Sequence, residues 1–247
     1  MFSESHCHLG SITLESVRKA EEIGFELLLD AGIDAQSCES AVKISGKHSI
    51  VRACVGIHPW YANEYGDYAK GLIRGLAAHP KVVAISEIGL DFIGRMTKEW
   101  VREDRFIDPN IQRETLSAQL ALAEDLALPV LVHDRAPGQE ILDILENTGA
   151  AKRGAAIHGF NKDSAYVERC EKLGVYLSVG RSIVRDPSSE FLEAVKHIPL
   201  NLLLTETDSG NPENLLPVCD AIARIKGLTL DRVGAQATLN LKKLIGA

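Results

Sequence analysis

Eight short apolar runs, distributed through 247 residues, constrain this chain more than any other feature. They cover residues 2–8, 26–30, 50–56, 82–87, 129–133, 155–158, 175–179 and 201–205. Runs such as LLLD, VVAIS, PVLVH, VYLSV and LLLT are almost continuously apolar, as strands are when both sheet faces are covered. Helical patterns separate them. Leu14, Val17 and Ile23 share a face of the first, and Leu116, Leu120, Ala123 and Leu126 stripe the segment before the fifth run. Ile141 and Leu145 follow that run, and Leu215, Cys219, Ile222 and Ile225 follow the last. Gly24, Gly149, Gly174 and Gly227 stand where left-handed helix caps belong. A further helix over 230–244 closes the chain. Eight units of roughly 31 residues match the size of a βα repeat. They predict one α/β domain over 1–247, a (β/α)8 TIM barrel, with an open doubly wound sheet as the alternative.

Composition narrows the function. With 45% hydrophobic and 25% charged residues the chain is ordinary globular material. Twenty-seven Lys and Arg against 34 Asp and Glu give a net charge of −7, which excludes a broad basic clamp on duplex DNA. The five cysteines are odd in number and lack any C-x-x-C pair, so neither a disulfide framework nor a zinc knuckle is expected. Scattered thiols, no apolar leader and no long apolar stretch predict a cytoplasmic protein that does not meet a membrane. The polar stretch FIGRMTKEWVREDRFIDP, Phe92 to Pro109, follows the fourth strand on the side where barrel active sites lie. A lid or substrate wall is the expectation there.

Five of the eight histidines, His6, His8, His58, His133 and His158, fall at or just beyond the C-terminal ends of predicted strands. Strand alternation points His6 and His8 to one side and Cys7 to the other. An H-x-H pair alone is compatible with a surface pair. Glu87, His133 and His158, which close strands four to six, and Asp208, after strand eight, change the balance. Four imidazoles and two carboxylates exceed what one tetrahedral ion requires, whereas two ions sharing a carboxylate would use them all.

The motifs SHCHLG, GIHPW, SEIGLD, LPVLVHDR, IHGF and LLLTETD occur in the order and spacing of the TatD-type metal-dependent hydrolases, which the chain resembles from first strand to last helix. ATLNLKKL, with Asn240, resembles that family's closing segment. The resemblance implies an amidohydrolase-like barrel with two divalent metal ions (Zn2+, Mn2+ or Mg2+). It implies that His6, His8 and Asp208 hold the first ion, that His133 and His158 hold the second, and that Glu87 bridges them. It assigns Asp208 the proton of the attacking water and His58 a phosphate oxygen of the substrate. It further implies deoxyribonuclease activity on DNA ends or single-stranded DNA. Glu4 stands where the family has Asp, Ser86 where it has Gly, and Ser209 and Gly210 follow Asp208 where it has a nearby Pro.

Arg135 is the candidate to bind substrate phosphate, against a surface ion pair, and Lys162 is a weaker one. Asp91 reads as a group that braces a ligand or loop, Asp30 as a cap or turn, Cys7 as a packed thiol, and Trp60 as a base platform or wall. A metal-dependent hydrolase of a small amide, lactone or phosphoester is the alternative function, and a non-enzymatic scaffold is disfavoured by the intact set of ligand types. Two divalent ions would bring the charge near −3 and concentrate the positive part at the barrel mouth.

Overall fold

In the computed structural model, which describes residues 1–11, 14–94 and 106–247, the eight apolar runs form eight parallel strands in sequential order β1 to β8. They are β1 (Phe2–Cys7), β2 (Phe25–Ala31), β3 (Val51–Val55), β4 (Val82–Asp91), β5 (Val130–Arg135), β6 (Ala155–His158), β7 (Tyr176–Val179) and β8 (Leu203–Thr205). Helices α1 (Leu14–Ile23), α2 (Ala35–Ser45), α3 (Asp67–Ala77) and α4 (Pro109–Asp125) follow the first four strands. Then come α5 (Glu140–Asn147), α6 (Ala150–Arg153), α7 (Ser164–Leu173), α8 (Ser189–His197), α9 (Leu215–Lys226) and α10 (Leu230–Ile245). The result is a nearly closed (β/α)8 barrel, and the open-sheet alternative falls away.

The seam between β8 and β1 is made past the regular ladder. The Asp208 N–H donates to the His6 carbonyl at 3.1 Å, and the His8 N–H donates to the Ser209 carbonyl at 3.2 Å. Thr205 Oγ1 donates to the Ser3 carbonyl at 3.2 Å.

Period-two alternation sorts the strand residues into two apolar layers. Leu29, Leu131, Ala156 and Leu204 pack inside the barrel, while Leu28, Val132, Ile157 and Leu203 face the helices. Leu241 and Leu244 of α10 join the inner layer, so α10 plugs the end of the barrel opposite the histidines. Asn240 on the same helix donates to the carbonyls of Leu200 and Leu203, anchoring the start of β8.

Strands β4 and β5 run beyond the expected apolar stretches, because Gly89, Leu90 and Asp91 keep register with His133, Asp134 and Arg135. Gly89 is required there: its φ is +151°, and a Cβ would lie 2.0 Å from the His133 carbonyl oxygen. On α1, Val17 and Ala20 are buried but Ile23 is 36% exposed, because a residue six positions after Val17 lies about 120° round the helix, off the expected stripe. The four expected glycine caps all have positive φ. Of the proposed lid, residues 95–105 lie outside the described residues. Its far end is ordered by Asp108, which caps α4, and by Gln112, whose side-chain amide bonds both the N–H and the carbonyl of Asp91. No described helix is long and apolar enough to cross a membrane.

Candidate metal centre

The ladder pairs His133 directly with His158, and the seam brings His6, His8 and Asp208 alongside them. The histidines meet at Glu87, the mouth-facing carboxylate of β4. Glu87 Oε1 lies 2.7 Å from His158 Nε2, 2.9 Å from His133 Nδ1 and 3.3 Å from His58 Nε2. Glu87 Oε2 lies 3.2 Å from His6 Nε2 and 3.7 Å from His8 Nε2. Asp208 Oδ1 stands 3.2 Å from His8 Nε2 and 3.9 Å from His6 Nε2. The two oxygens of one carboxylate therefore divide the imidazoles into two sets.

The far edges of the rings are fixed as well. His8 Nδ1 donates to the Ala31 carbonyl at 2.9 Å, which leaves Nε2 to face Glu87 and Asp208. His133 Nε2 meets Asp91 Oδ2 at 3.1 Å, and His158 Nδ1 meets Glu206 Oε1 at 3.3 Å. A carboxylate behind a ring fixes its tautomer and makes the facing nitrogen more basic. His58 differs. Its Nδ1 accepts the Trp60 N–H at 3.0 Å, so in the neutral ring the proton sits on Nε2, which points at Glu87. Asp208 adopts a φ of 49°, a sparsely used conformation for a residue with a side chain, held by its N–H bond to His6.

The electrostatics describe a site short of positive charge. Burial alone would raise Glu87, yet His158, His58 and His6 hold it well below the usual carboxylate range. Burial also opposes ionisation of Asp91 and Asp208, but His133 holds the first low and His8 the second. Against the cost of burying a cation, Asp208 and Glu87 lift His8 to about 9, Asp91 and Glu87 lift His133, and Glu87 and Glu206 lift His158 well above its ordinary value. Burial pushes His58 down to about 4 and lowers His6 too.

His6 supplies the sharpest test of fit. It is fully buried, and among the described residues neither ring nitrogen completes an aligned hydrogen bond, Nε2 only approaching Glu87 Oε2 at 3.2 Å. An unsatisfied buried imidazole is costly unless something else engages it. His6, His8 and Glu87 offer ligand atoms within 4.8 Å of one another, as do Glu87, His133 and His158. Imidazole and carboxylate donors of this kind suit Zn2+, Mn2+ or a similar divalent ion. His58, Asp91 and His133 meet the same distance criterion, but Asp91 Oδ2 already accepts from His133, Trp60 Nε1 at 2.8 Å and Arg135 at 3.4 Å.

The remaining expectations sort as follows. Arg135 lines the cavity in front of the cluster, and its guanidinium approaches Asp91 at 3.4 Å. Lys162 is not among the residues that line that cavity, and its ammonium bonds the Ala136 carbonyl at 2.6 Å and Asp134 at 3.3 Å. Cys7 faces outward and donates to the Leu29 carbonyl. Asp91 braces both His133 and the turn at Ile93 and Gly94. Trp60 is part of the cavity wall. Asp30 accepts the Leu9 N–H at 2.7 Å, as a turn residue does, and burial lifts its carboxyl to about 6. Glu4 does not join the cluster: it bonds the Thr207 N–H, and burial raises its carboxyl well above the ordinary range. Glu206 was the residue missed. Fully buried two positions before Asp208, it holds both His158 and the Gly159 N–H. The TETD motif offered the signal, since residues two apart beyond a strand can share a side.

Comparison with known proteins decides the family. The sequence profile described as "TatD related DNase" matches residues 4–246. The chain belongs to the TatD family. The "3'-5' ssDNA/RNA exonuclease TatD" of Erwinia amylovora is 30% identical, covering 93% of this chain and 92% of the relative. The "uncharacterized metal-dependent hydrolase YabD" of Bacillus subtilis is 29% identical, covering 99% and 98%. Among solved structures, the TatD homologue YJJV of Escherichia coli superposes with a TM-score of 0.86 over 100% of this chain and 98% of that one, at 22% identity, a likeness of fold. This TatD-family barrel thus combines a family-wide sequence match with a buried cluster fit for metal.

Proposed function

We propose that this TatD-family chain is a divalent-metal-dependent phosphodiesterase that removes nucleotides from the ends of single-stranded DNA. The observation that carries the reading is the division of the imidazoles by Glu87, with His6 and His8 on one oxygen and His133 and His158 on the other. In this reading His6, His8 and Asp208 hold one ion, His133 and His158 the second, and Glu87 both. Divalent ions at such a site lower the pKa of water to about 7 and neutralise charge on a phosphate oxygen.

The chain's own groups supply the rest. Asp208, whose side chain is half exposed at the mouth, orients the attacking water and accepts its proton at Oδ1. With its Nδ1 occupied by the Trp60 N–H, His58 has only the Nε2–H that faces Glu87 Oε1 at 3.3 Å to offer, and this is the donor that would turn to a non-bridging phosphate oxygen once Glu87 engages the ions. Arg135 offers the unused part of its guanidinium fork to the same phosphate. The names of the Erwinia amylovora relative and of human deoxyribonuclease TATDN3, which is 27% identical over 98% of this chain, support a nucleic-acid substrate.

The test is hydrolysis of end-labelled single-stranded DNA by protein loaded with Mg2+, Mn2+ or Zn2+. Activity lost with chelator and in His133→Ala supports the reading, and ends left intact under every metal exclude DNA. The net charge of −7 and a cavity of about 600 Å3 favour one competing substrate class, a small amide, lactone or phosphoester. Salt-independent turnover of such a compound would select it over DNA.

A further inference from the structure

The turn after β7 runs beside the residues that follow β8. The Glu206 N–H donates to the Val179 carbonyl at 3.2 Å, which carries the β7–β8 ladder one step past Thr205. Gly180 comes next, and a Cβ there would lie 3.2 Å from Glu206 Cγ and Oε1, so the chain passes close against that side chain. Arg181 opens the short 3-10 turn Arg181–Val184, and the same register sets it beside Asp208. Its guanidinium Nη2 donates to the Asp208 carbonyl at 3.0 Å. The bond goes to the backbone of Asp208 and not to its carboxylate.

Asp208 is a residue that needs holding. With φ at 49° it sits in the left-handed region, which residues with side chains keep only where the surroundings enforce it. Its side chain is half exposed, and Oδ1 stands 3.2 Å from His8 Nε2 and 3.9 Å from His6 Nε2. The backbone therefore decides where this carboxylate points. Ser209 and Gly210 follow where the family has a nearby Pro, so the turn lacks a residue of fixed φ on that side. The seam holds it from β1, through the Asp208 N–H on the His6 carbonyl and the His8 N–H on the Ser209 carbonyl. Arg181 holds it from β7, and of these three bonds it is the one made by a side chain.

We propose that Arg181 is a positioning residue that clamps the backbone of Asp208 and so keeps its carboxylate aimed at the histidine cluster. The inference rests on the role given to Asp208 above. Arg181 acts through Asp208 alone. Removing its donor should weaken what Asp208 does, as a ligand and as acceptor of the water proton, and should leave His133, His158 and the contacts to substrate as they are.

The experiment titrates chelated protein with Mn2+ by calorimetry, for the wild type, Arg181→Met, Arg181→Lys, Asp208→Ala and the double variant Arg181→Met with Asp208→Ala. Arg181→Met should weaken one binding step about tenfold, the range of one hydrogen bond from a charged donor, and leave the other unchanged. Arg181→Lys should recover most of that loss, because a single donor suffices for one carbonyl. In the Asp208→Ala background Arg181→Met should cost nothing further. On single-stranded DNA, Arg181→Met should lower kcat about tenfold with KM unaltered. Additive losses in the double variant, a raised KM at constant kcat, or an isotherm identical to that of the wild type would each overturn the inference. Should Arg181→Met fail to fold, Arg181→Gln, whose shorter amide removes the same bond, takes its place. If the wild type leaves DNA intact, the nuclease reading falls and the Mn2+ titration still decides on Arg181. Protein that binds no Mn2+ overturns both.

Discussion

Glu206 Oε1 stands 3.3 Å from Nδ1 of His158, on the opposite edge of the ring from Glu87. The same oxygen accepts the Gly159 N–H at 2.6 Å, so the carboxylate fixes both the imidazole and the backbone that follows it. Glu206→Gln can keep the backbone bond while weakening the pull on the ring proton. Metal affinity is expected to fall about 10- to 100-fold, as for other carboxylates behind a ligand histidine. Titration of the chelated protein with Mn2+ or Co2+ measures this, and an unchanged isotherm would contradict it.

Arg135 and Lys162 should behave differently although both follow strand ends near the mouth. Arg135→Ala is expected to raise KM for DNA about tenfold with little change in thermal midpoint, since it loses a charge-assisted contact made only with substrate. Arg135→Lys should not restore it, because a single ammonium does not reproduce the fork. Lys162→Ala should leave KM unchanged, its ammonium being spent on Ala136 and Asp134. Steady-state kinetics on the three variants separate these outcomes.

Removing metal should destabilise the fold measurably. At an ion concentration 100 times the dissociation constant, binding to the native state alone contributes about 2.7 kcal/mol per site. For a domain of this size that corresponds to a thermal midpoint roughly 5–11 °C higher than in chelator. Scanning calorimetry with and without EDTA checks it. Coincident midpoints would mean that no ion is held.

The acid limb of stability should carry a signature of His58. Burial holds this ring near 4, against an ordinary value of 6.5. Between those values the unfolded chain binds more protons than the folded one, so stability falls as pH drops from 6.5 towards 4 and stays lost below it. The gap corresponds to roughly 3 kcal/mol. In chelated protein, His58→Gln should therefore show a shallower loss of denaturant midpoint across this window than the wild type. Parallel curves would rule the effect out.

Two helical glycines should respond to alanine with opposite signs. A Cβ on Gly75, in α3, would meet nothing within 4 Å. Gly75→Ala is expected to stabilise by about 0.5–1 kcal/mol through helix propensity. On Gly234, in α10, the added atom would fall 2.5 Å from the Phe2 ring and 2.7 Å from the Met1 carbonyl. Gly234→Ala should destabilise by about 1–3 kcal/mol through overpacking, despite the same propensity gain. Urea denaturation of both variants decides.

The barrel was legible because its strands are covered on both faces and so advertise themselves as apolar runs at a regular interval. The meeting of the six candidate ligands was legible because strand ends converge in such a barrel and because six motifs keep one order. What lay beyond reach depended on distances between elements far apart in sequence. Glu206 resembles any acid near a strand end until the ladder places it behind His158, and Lys162 resembles Arg135 until Asp134 and Ala136 are seen to hold it. Ile23 was misplaced for a simpler reason: six residues from Val17, it lies about 120° round the helix from it, off the buried face that Val17 and Ala20 share.

The β1–β8 seam ties the chemistry to the completeness of the chain. Glu4 binds Thr207 across 203 residues of sequence, and the neighbouring bonds place His6 and His8 against Asp208. A chain lacking β8 and the residues beyond it would, on the proposed reading, present only part of the ligand set and would lack Asp208, the group proposed to orient water. A contact this distant in sequence also closes slowly compared with local helices. On the proposed reading, the set of ligands is complete only once the last strand has docked on the first.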